Sequence, residues 1–144
     1  MIFIGSDHGG FELKERIKEF LKEKNIEFED MGCFNAESVD YPDIAKSVAL
    51  KVASSNSKGI LICGTGIGMS IAANKIKGVR CALCHDAYTA EFARRHNDAN
   101  IIAFGGRTTG VEVAKQMVEI FLKTPFDGGR HERRVKKIIE MEDL

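Results

Sequence analysis

Between Ile60 and Ser70 the chain reads ILICGTGIGMS, an apolar run that ends in Cys63 and passes at once into a glycine-rich turn. A thiol in that place can be packing, a nucleophile, a redox group or a general base. The turn narrows what sits beside it. Gly64, Gly66 and Gly68 let the backbone bend so that its N–H groups converge at the start of a helix. That end carries partial positive charge and holds anions. The anion can be a phosphate or an oxyanion formed during reaction, and the same field favours thiolate at Cys63. Met69 excludes the familiar loops. A dinucleotide fingerprint needs a glycine there, and a P-loop needs Lys-Ser or Lys-Thr after its last glycine. A tyrosine-phosphatase-like loop needs arginine at that same place. A receiver domain would carry aspartate where Cys63 stands.

A second cluster lies near the C-terminus. Arg130 and Arg134 are four residues apart, so on a helix they share a face. Guanidinium forks match phosphate oxygens. The alternative is a solvated basic tail, since Arg133, Lys136 and Lys137 are close by. Cys81-Ala82-Leu83-Cys84-His85 has the form of a haem-attachment motif, C-x-x-C-H. It falls inside a predicted strand, where residues three apart face opposite sides, so packing is the expected role. Four Cys and four His otherwise lack zinc-ligand spacing, and no metal or other cofactor is expected.

These groups need a scaffold, and the apolar periodicity supplies one. Strands are predicted at Ile2–Ile4, Ile26–Met31 (less buried, at an edge), Gly59–Cys63, Val79–Cys84 and Ile101–Phe104. Helical spacing covers Leu13, Ile17, Phe20 and Leu21, then Ile44, Val48 and Val52 behind a possible Asp40 cap and an early Pro42. Further helices are expected at Thr65–Lys75, Ala87–Arg95, along Val113–Leu122, and from His131 to about Met141. Such alternation argues for one domain over 1–144, a parallel sheet covered on both faces. Ligands bind beyond the carboxyl ends of strands in open sheets of this kind. Those ends are Ser6-Asp7-His8, Gly32-Cys33, Cys63-Gly64-Thr65, His85-Asp86 and Gly105-Gly106-Arg107.

The bulk numbers agree with one domain of ordinary size. The chain has 144 residues, 44% of them hydrophobic, with 21 basic and 21 acidic side chains. A formal net charge of zero gives no reason to expect nucleic acid or an anionic membrane as partner. No apolar run approaches the ~20 residues of a membrane span, and MIFIGSDHGG lacks the basic start of a secretion signal. The expected compartment is the cytoplasm, with the cysteines as thiols.

The set of motifs, in order, is more specific than any member: Ser6-Asp7-His8-Gly9-Gly10, Asp40-Tyr41-Pro42, Cys63-Gly64-Thr65-Gly66-Ile67-Gly68, Arg95-His96-Asn97-Asp98, Phe104-Gly105-Gly106-Arg107 and Gly128-Gly129-Arg130-His131-Glu132-Arg133-Arg134. Over essentially the whole chain it resembles the type B ribose-5-phosphate isomerases, which belong with the galactose-6-phosphate isomerase subunits. The resemblance implies a Rossmann-like three-layer α/β/α fold with a five-stranded parallel sheet and a C-terminal basic helix. It implies a metal-free enzyme interconverting ribose 5-phosphate and ribulose 5-phosphate through an enediol(ate). The family works as a homodimer, or a dimer of dimers, with active sites shared between subunits. Some members use a glutamate just after the last loop glycine as base; Met69 stands there, so this chain resembles the cysteine branch.

By that resemblance Cys63 is the base, Thr65 steadies the enediolate, and His96 opens the sugar ring with Asp7. The N–H groups of Gly64, Gly66, Ile67 and Gly68 form the anion hole, so the loop holds the reacting end of the sugar. Tyr41 and Asn97 meet its hydroxyls; His8, Arg107, Arg130 and Arg134 hold the phosphate. Arg133, one residue out of register, His85 and His131 receive no role. Two alternatives stay open: a six-carbon aldose phosphate such as allose or galactose 6-phosphate as substrate, and a non-catalytic flavodoxin-like binding module.

Overall fold

The computed structural model describes residues 1–144. Five strands form one parallel sheet: β1 (Ile2–Ser6), β2 (Phe28–Asp30), β3 (Lys58–Cys63), β4 (Cys81–Leu83) and β5 (Ile101–Gly105), in the order β2-β1-β3-β5-β4. Six helices connect and flank them: α1 (Phe11–Glu23), α2 (Tyr41–Ser55), α3 (Ile67–Ala73), α4 (Ala87–Arg95), α5 (Val111–Lys123) and α6 (Arg130–Glu140). β1, β3 and β5 are buried almost throughout, as strands covered on both faces must be.

Alternation along the strands divides the core in two. Ile4, Ile60, Ile62, Ile102 and Phe104 point to one face, where Ile17 and Leu21 of α1, Ala90 of α4 and Phe121 of α5 pack on them. Phe3, Leu61, Cys63, Ile101 and Ala103 point to the other, under Val48 and Val52 of α2 and Met69 and Ala73 of α3. Three layers result. α6 stands outside them and buries only Val135.

Three elements are shorter than the periodicity predicts. β2 keeps only Phe28–Asp30 of its predicted run, at the sheet edge as expected. α3 begins at Ile67 rather than Thr65 because Gly66 sits at φ 83°, outside helical space. It stops before Asn74, whose side-chain amide donates to the Cys81 carbonyl (2.9 Å) and accepts from the Cys81 N–H (2.8 Å). One amide thus ends the helix and closes the free edge of β4. β4 in turn begins at Cys81, since the Arg80 N–H is taken by the Asn100 side chain at 2.8 Å. Asp40 is the N-cap residue of α2, but its side chain makes no capping hydrogen bond; Pro42 sits in the first turn as predicted.

Lys14 breaks the polar-outside pattern of α1: its side chain is fully buried. Its Nζ donates to both carboxylate oxygens of Asp30, at 2.7 and 2.8 Å, and to the Cys33 carbonyl. Lys18 reaches Asp30 from the next turn, at 2.8 Å. The cluster ties α1 to the chain leaving β2. Cys81 and Cys84 lie against opposite core clusters, as strand alternation predicts. Burial pushes the Cys84 thiol up to about 11 and that of Cys81 higher still, so neither is primed for attachment or redox chemistry.

Candidate active site

The carboxyl ends of β1, β3 and β5 converge. The Asp7 N–H donates to the Ile62 carbonyl at 3.2 Å, the Gly106 N–H to the Cys63 carbonyl at 2.7 Å, and the Arg107 N–H to the Gly64 carbonyl at 3.0 Å. Three loops are therefore locked edge to edge around Cys63. The packing admits no side chain at the contact: a Cβ on Gly9 would stand 3.1 Å from the Gly64 nitrogen, and one on Gly106 would meet the Gly9 carbonyl.

Cys63 is 5% exposed and belongs to the rim of the cluster beneath α2 and α3. Its Sγ turns into the glycine loop, where it accepts the Gly66 N–H at 3.1 Å. That bond depends on the left-handed conformation of Gly66, where a Cβ would stand 2.7 Å from Leu83 Cδ1 and 2.8 Å from the Phe104 backbone. The Ile67 N–H donates to Thr65 Oγ1 at 3.2 Å. The N–H groups of Gly64, Thr65 and Gly68 find no acceptor among the turn, loop and cap hydrogen bonds. A sulfur and several free donors thus share one turn.

The remaining groups of this edge surround it. Asp7 is buried and accepts the Gly10 N–H at 3.1 Å, which fixes its carboxylate beneath Gly9. His8 is exposed, and its Nδ1 accepts the Val39 N–H at 3.3 Å, so it pins the loop that leads to Tyr41. Tyr41, at the start of α2, lays its ring against Gly68, its hydroxyl 2.9 Å from where a Cβ would be. The Arg107 guanidinium lies over Gly64, with Nη1 3.2 Å from the corresponding point, and forms no ion pair.

His96, Asn97, Arg130 and Arg134 are elsewhere. His96 caps the C-terminus of α4, whose chain has run back from the carboxyl end of β4. Asn97 follows, and its carbonyl accepts Arg80 Nε at 3.1 Å, just ahead of β4. The Asp127 N–H donates to the Arg95 carbonyl at 3.0 Å, which brings the start of α6 to this amino edge of the sheet. A five-residue strand spans roughly 15 Å, so one chain holds the candidate constellation as two halves, one at each edge. Arg130 and Arg134 are exposed and free of carboxylate partners, whereas Lys136 pairs with Glu132 at 3.7 Å.

The second half contains a residue that sequence reasoning passed over. His131 stacks on His96 with ring centroids 4.0 Å apart and 11° between planes. Phe92 meets His96 edge-on at 4.7 Å, and Tyr88 packs on Phe92 at 4.5 Å. Phe92 and Tyr88 are legible, since 88, 92 and 96 are helical neighbours. His131 lies 35 residues from His96 on another helix, and no spacing rule connects them. Burial, then the charges of His96, Arg130 and Arg134, hold the His131 imidazole below its ordinary value.

An open parallel sheet with a thiol and free backbone donors at the carboxyl edge defines an α/β protein built to hold a small anionic ligand. The chain belongs to the ribose/galactose isomerase family, whose model matches residues 2–138. It is 47% identical over 142 residues to ribose-5-phosphate isomerase B of Escherichia coli (strain K12), covering 98% of this chain and 95% of that protein. The structure of the Clostridium thermocellum ribose-5-phosphate isomerase B superposes with a TM-score of 0.96 at 52% identity, covering 99% of this chain and 97% of the other. The Mycoplasma genitalium enzyme with bound ribulose-5-phosphate superposes at 0.95 with 46% identity, covering 99% and 95%.

Proposed function

We propose that this chain interconverts D-ribose 5-phosphate and D-ribulose 5-phosphate through an enediol(ate), with Cys63 as the base. The observation that carries the reading is the Cys63 thiol inside a turn of free N–H donors, in a chain of this family. Relatives of near 50% identity over almost their whole length are named for that reaction, and the M. genitalium structure holds its product.

His96, with Asp7, opens the furanose ring by protonating the ring oxygen and relieving O1 of its proton. The Cys63 thiolate takes the proton from C2. The C2–H electrons become the C1–C2 double bond, and charge moves onto O1. Thr65 and the N–H groups of Gly64, Gly66, Ile67 and Gly68 steady that charge; those of Gly64 and Gly68 are free beforehand, while those of Gly66 and Ile67 give up Cys63 Sγ and Thr65 Oγ1 for it. A proton passes from O2 to O1, and the thiol returns its proton to C1, leaving the ketose. Tyr41 and Asn97 orient the hydroxyls; His8, Arg107, Arg130 and Arg134 hold the phosphate.

Because the two halves of this constellation lie at opposite edges of one chain, the site is assembled from two copies, each lending His96, Asn97, Arg130 and Arg134 to the other's Cys63 loop. The working unit is a homodimer of single-domain chains acting in the cytoplasm. The deciding experiment is a panel of five- and six-carbon aldose phosphates on purified protein. Ribulose 5-phosphate appearing from ribose 5-phosphate at the highest kcat/KM supports the reading; faster turnover of allose or galactose 6-phosphate replaces the substrate, and no turnover refutes it.

A further inference from the structure

His96, Asp127 and His131 converge although nothing in their sequence spacing announces it. One potential ligand atom from each lies within 4.8 Å of the others. Two imidazoles and a carboxylate are a common donor set for borderline first-row cations. Asp127 is anchored at its backbone by the bond to the Arg95 carbonyl, and its Oδ1 faces Arg95 Nη1 at 3.3 Å, leaving Oδ2 uncommitted.

We propose that His96, Asp127 and His131 form a binding site for a divalent cation of the Zn2+, Co2+ and Ni2+ kind, and that its occupancy inhibits the isomerase. The stacked pair must open for this. A metal lies in the plane of each imidazole about 2.0–2.1 Å from nitrogen, so two parallel rings cannot serve it together. His131 is only half-buried at the second position of α6, so a change of side-chain rotamer is enough to carry its ring off His96. Bound metal takes the lone pair of His96 that would carry the ring-opening proton, so the cyclic sugar phosphate cannot be opened. The fourth position is left to water or an anion. Arg130 and Arg134 beside the site weaken cation binding and favour an anion as that fourth ligand.

The inhibitory half rests on the reading of His96 as ring-opening acid; the binding half does not, and its test needs no activity. Tag-free protein is titrated with Co2+. The expected result is visible d–d absorption saturating at one equivalent per chain, without the near-ultraviolet sulfur-to-metal band that Cys63 would give as a ligand. Asp127→Asn, which keeps the metal-free isomerase rate, and His131→Gln each raise the cobalt Kd at least tenfold. The cobalt or nickel concentration that halves isomerase activity follows Kd and rises by the same factor in Asp127→Asn. No absorption at millimolar cobalt, or an affinity unchanged in both variants, overturns the site. Inhibition undiminished in Asp127→Asn overturns the inhibitory role, since the metal is then acting at Cys63. Binding at the triad without inhibition keeps the site and refutes ring opening by His96.

Discussion

The proposed mechanism asks Cys63 to be two things at once, a buried strand residue and a base. Its position is compatible with both: it is the last residue of β3, its Cβ on the apolar side and its sulfur at the Gly66 N–H. A single positioned base contributes about 10²–10⁴-fold in rate. Cys63→Ala is therefore expected to lower kcat by at least that factor while a thermal melt moves by only a few degrees, because one sulfur is removed from the rim of the core. Near-normal turnover in the variant would remove the base. Arg130 makes a different contribution. It is exposed, unpaired and remote from the thiol in its own chain, as the proposed role in binding rather than proton transfer requires. Arg130→Ala should raise KM about tenfold or more with a smaller change in kcat, as loss of a charge-assisted contact of about 1.5–3 kcal/mol implies. An unchanged KM would take Arg130 out of the phosphate site.

Loops and struts at the scale of elements decide whether those side chains meet their work. Gly66 has both a positive φ and no room for a Cβ, so Gly66→Ala is expected to destabilise the fold by about 1–3 kcal/mol and to displace the donor to Cys63. Denaturant midpoints check the first effect and the residual rate the second. The Lys14–Asp30 strut is the other device. Burial alone would raise the Asp30 carboxyl, but hydrogen bonds from Lys14, Lys18 and the Gly32 N–H outweigh it and hold the group below its ordinary 3.8. The folded value lies below the unfolded one, so the stability it contributes is complete above about pH 4 and drains as pH falls through the folded value. Urea unfolding followed from pH 6 down to pH 2 should show Asp30→Asn with a shallower acid loss than the parent chain. The strut also marks where sequence reading stops. Sheet class, helix number and the Cys63 turn were legible because they rest on local periodicity and on what glycine alone permits. Lys14 was not, since a lysine among Glu and Arg on α1 reads as surface until Asp30 and the Cys33 carbonyl are known to stand opposite it. The His96–His131 stack was hidden for the same reason: contacts between distant segments leave no period.

The whole molecule raises a question that its parts do not. The Cys63 loop and the His96–Arg130 cluster are both well formed, yet a layer of sheet separates them in one chain. The proposed reaction on one sugar phosphate needs them within a few ångströms of a single ring. No bending of a five-stranded sheet closes that gap, because its strands are bonded along their full register. In the proposed dimer a second copy, related by a twofold axis, supplies the missing half, since such an interface is used twice and completes two sites together. The consequence is quantitative. Cys63→Ala and His96→Gln chains are each expected to be inactive as homodimers. In an equal mixture, dissociated and allowed to reassociate, half of the dimers pair one chain of each kind. In each of these mixed dimers one site carries both substitutions and the other carries neither. About a quarter of the activity of the unmodified protein should then return, with the KM of the unmodified site. Recovery requires exchange, so it should follow the rate at which subunits mix and vanish if the dimers are cross-linked beforehand. A site contained in one chain would give no recovery at any mixing ratio, because neither chain then holds both Cys63 and His96.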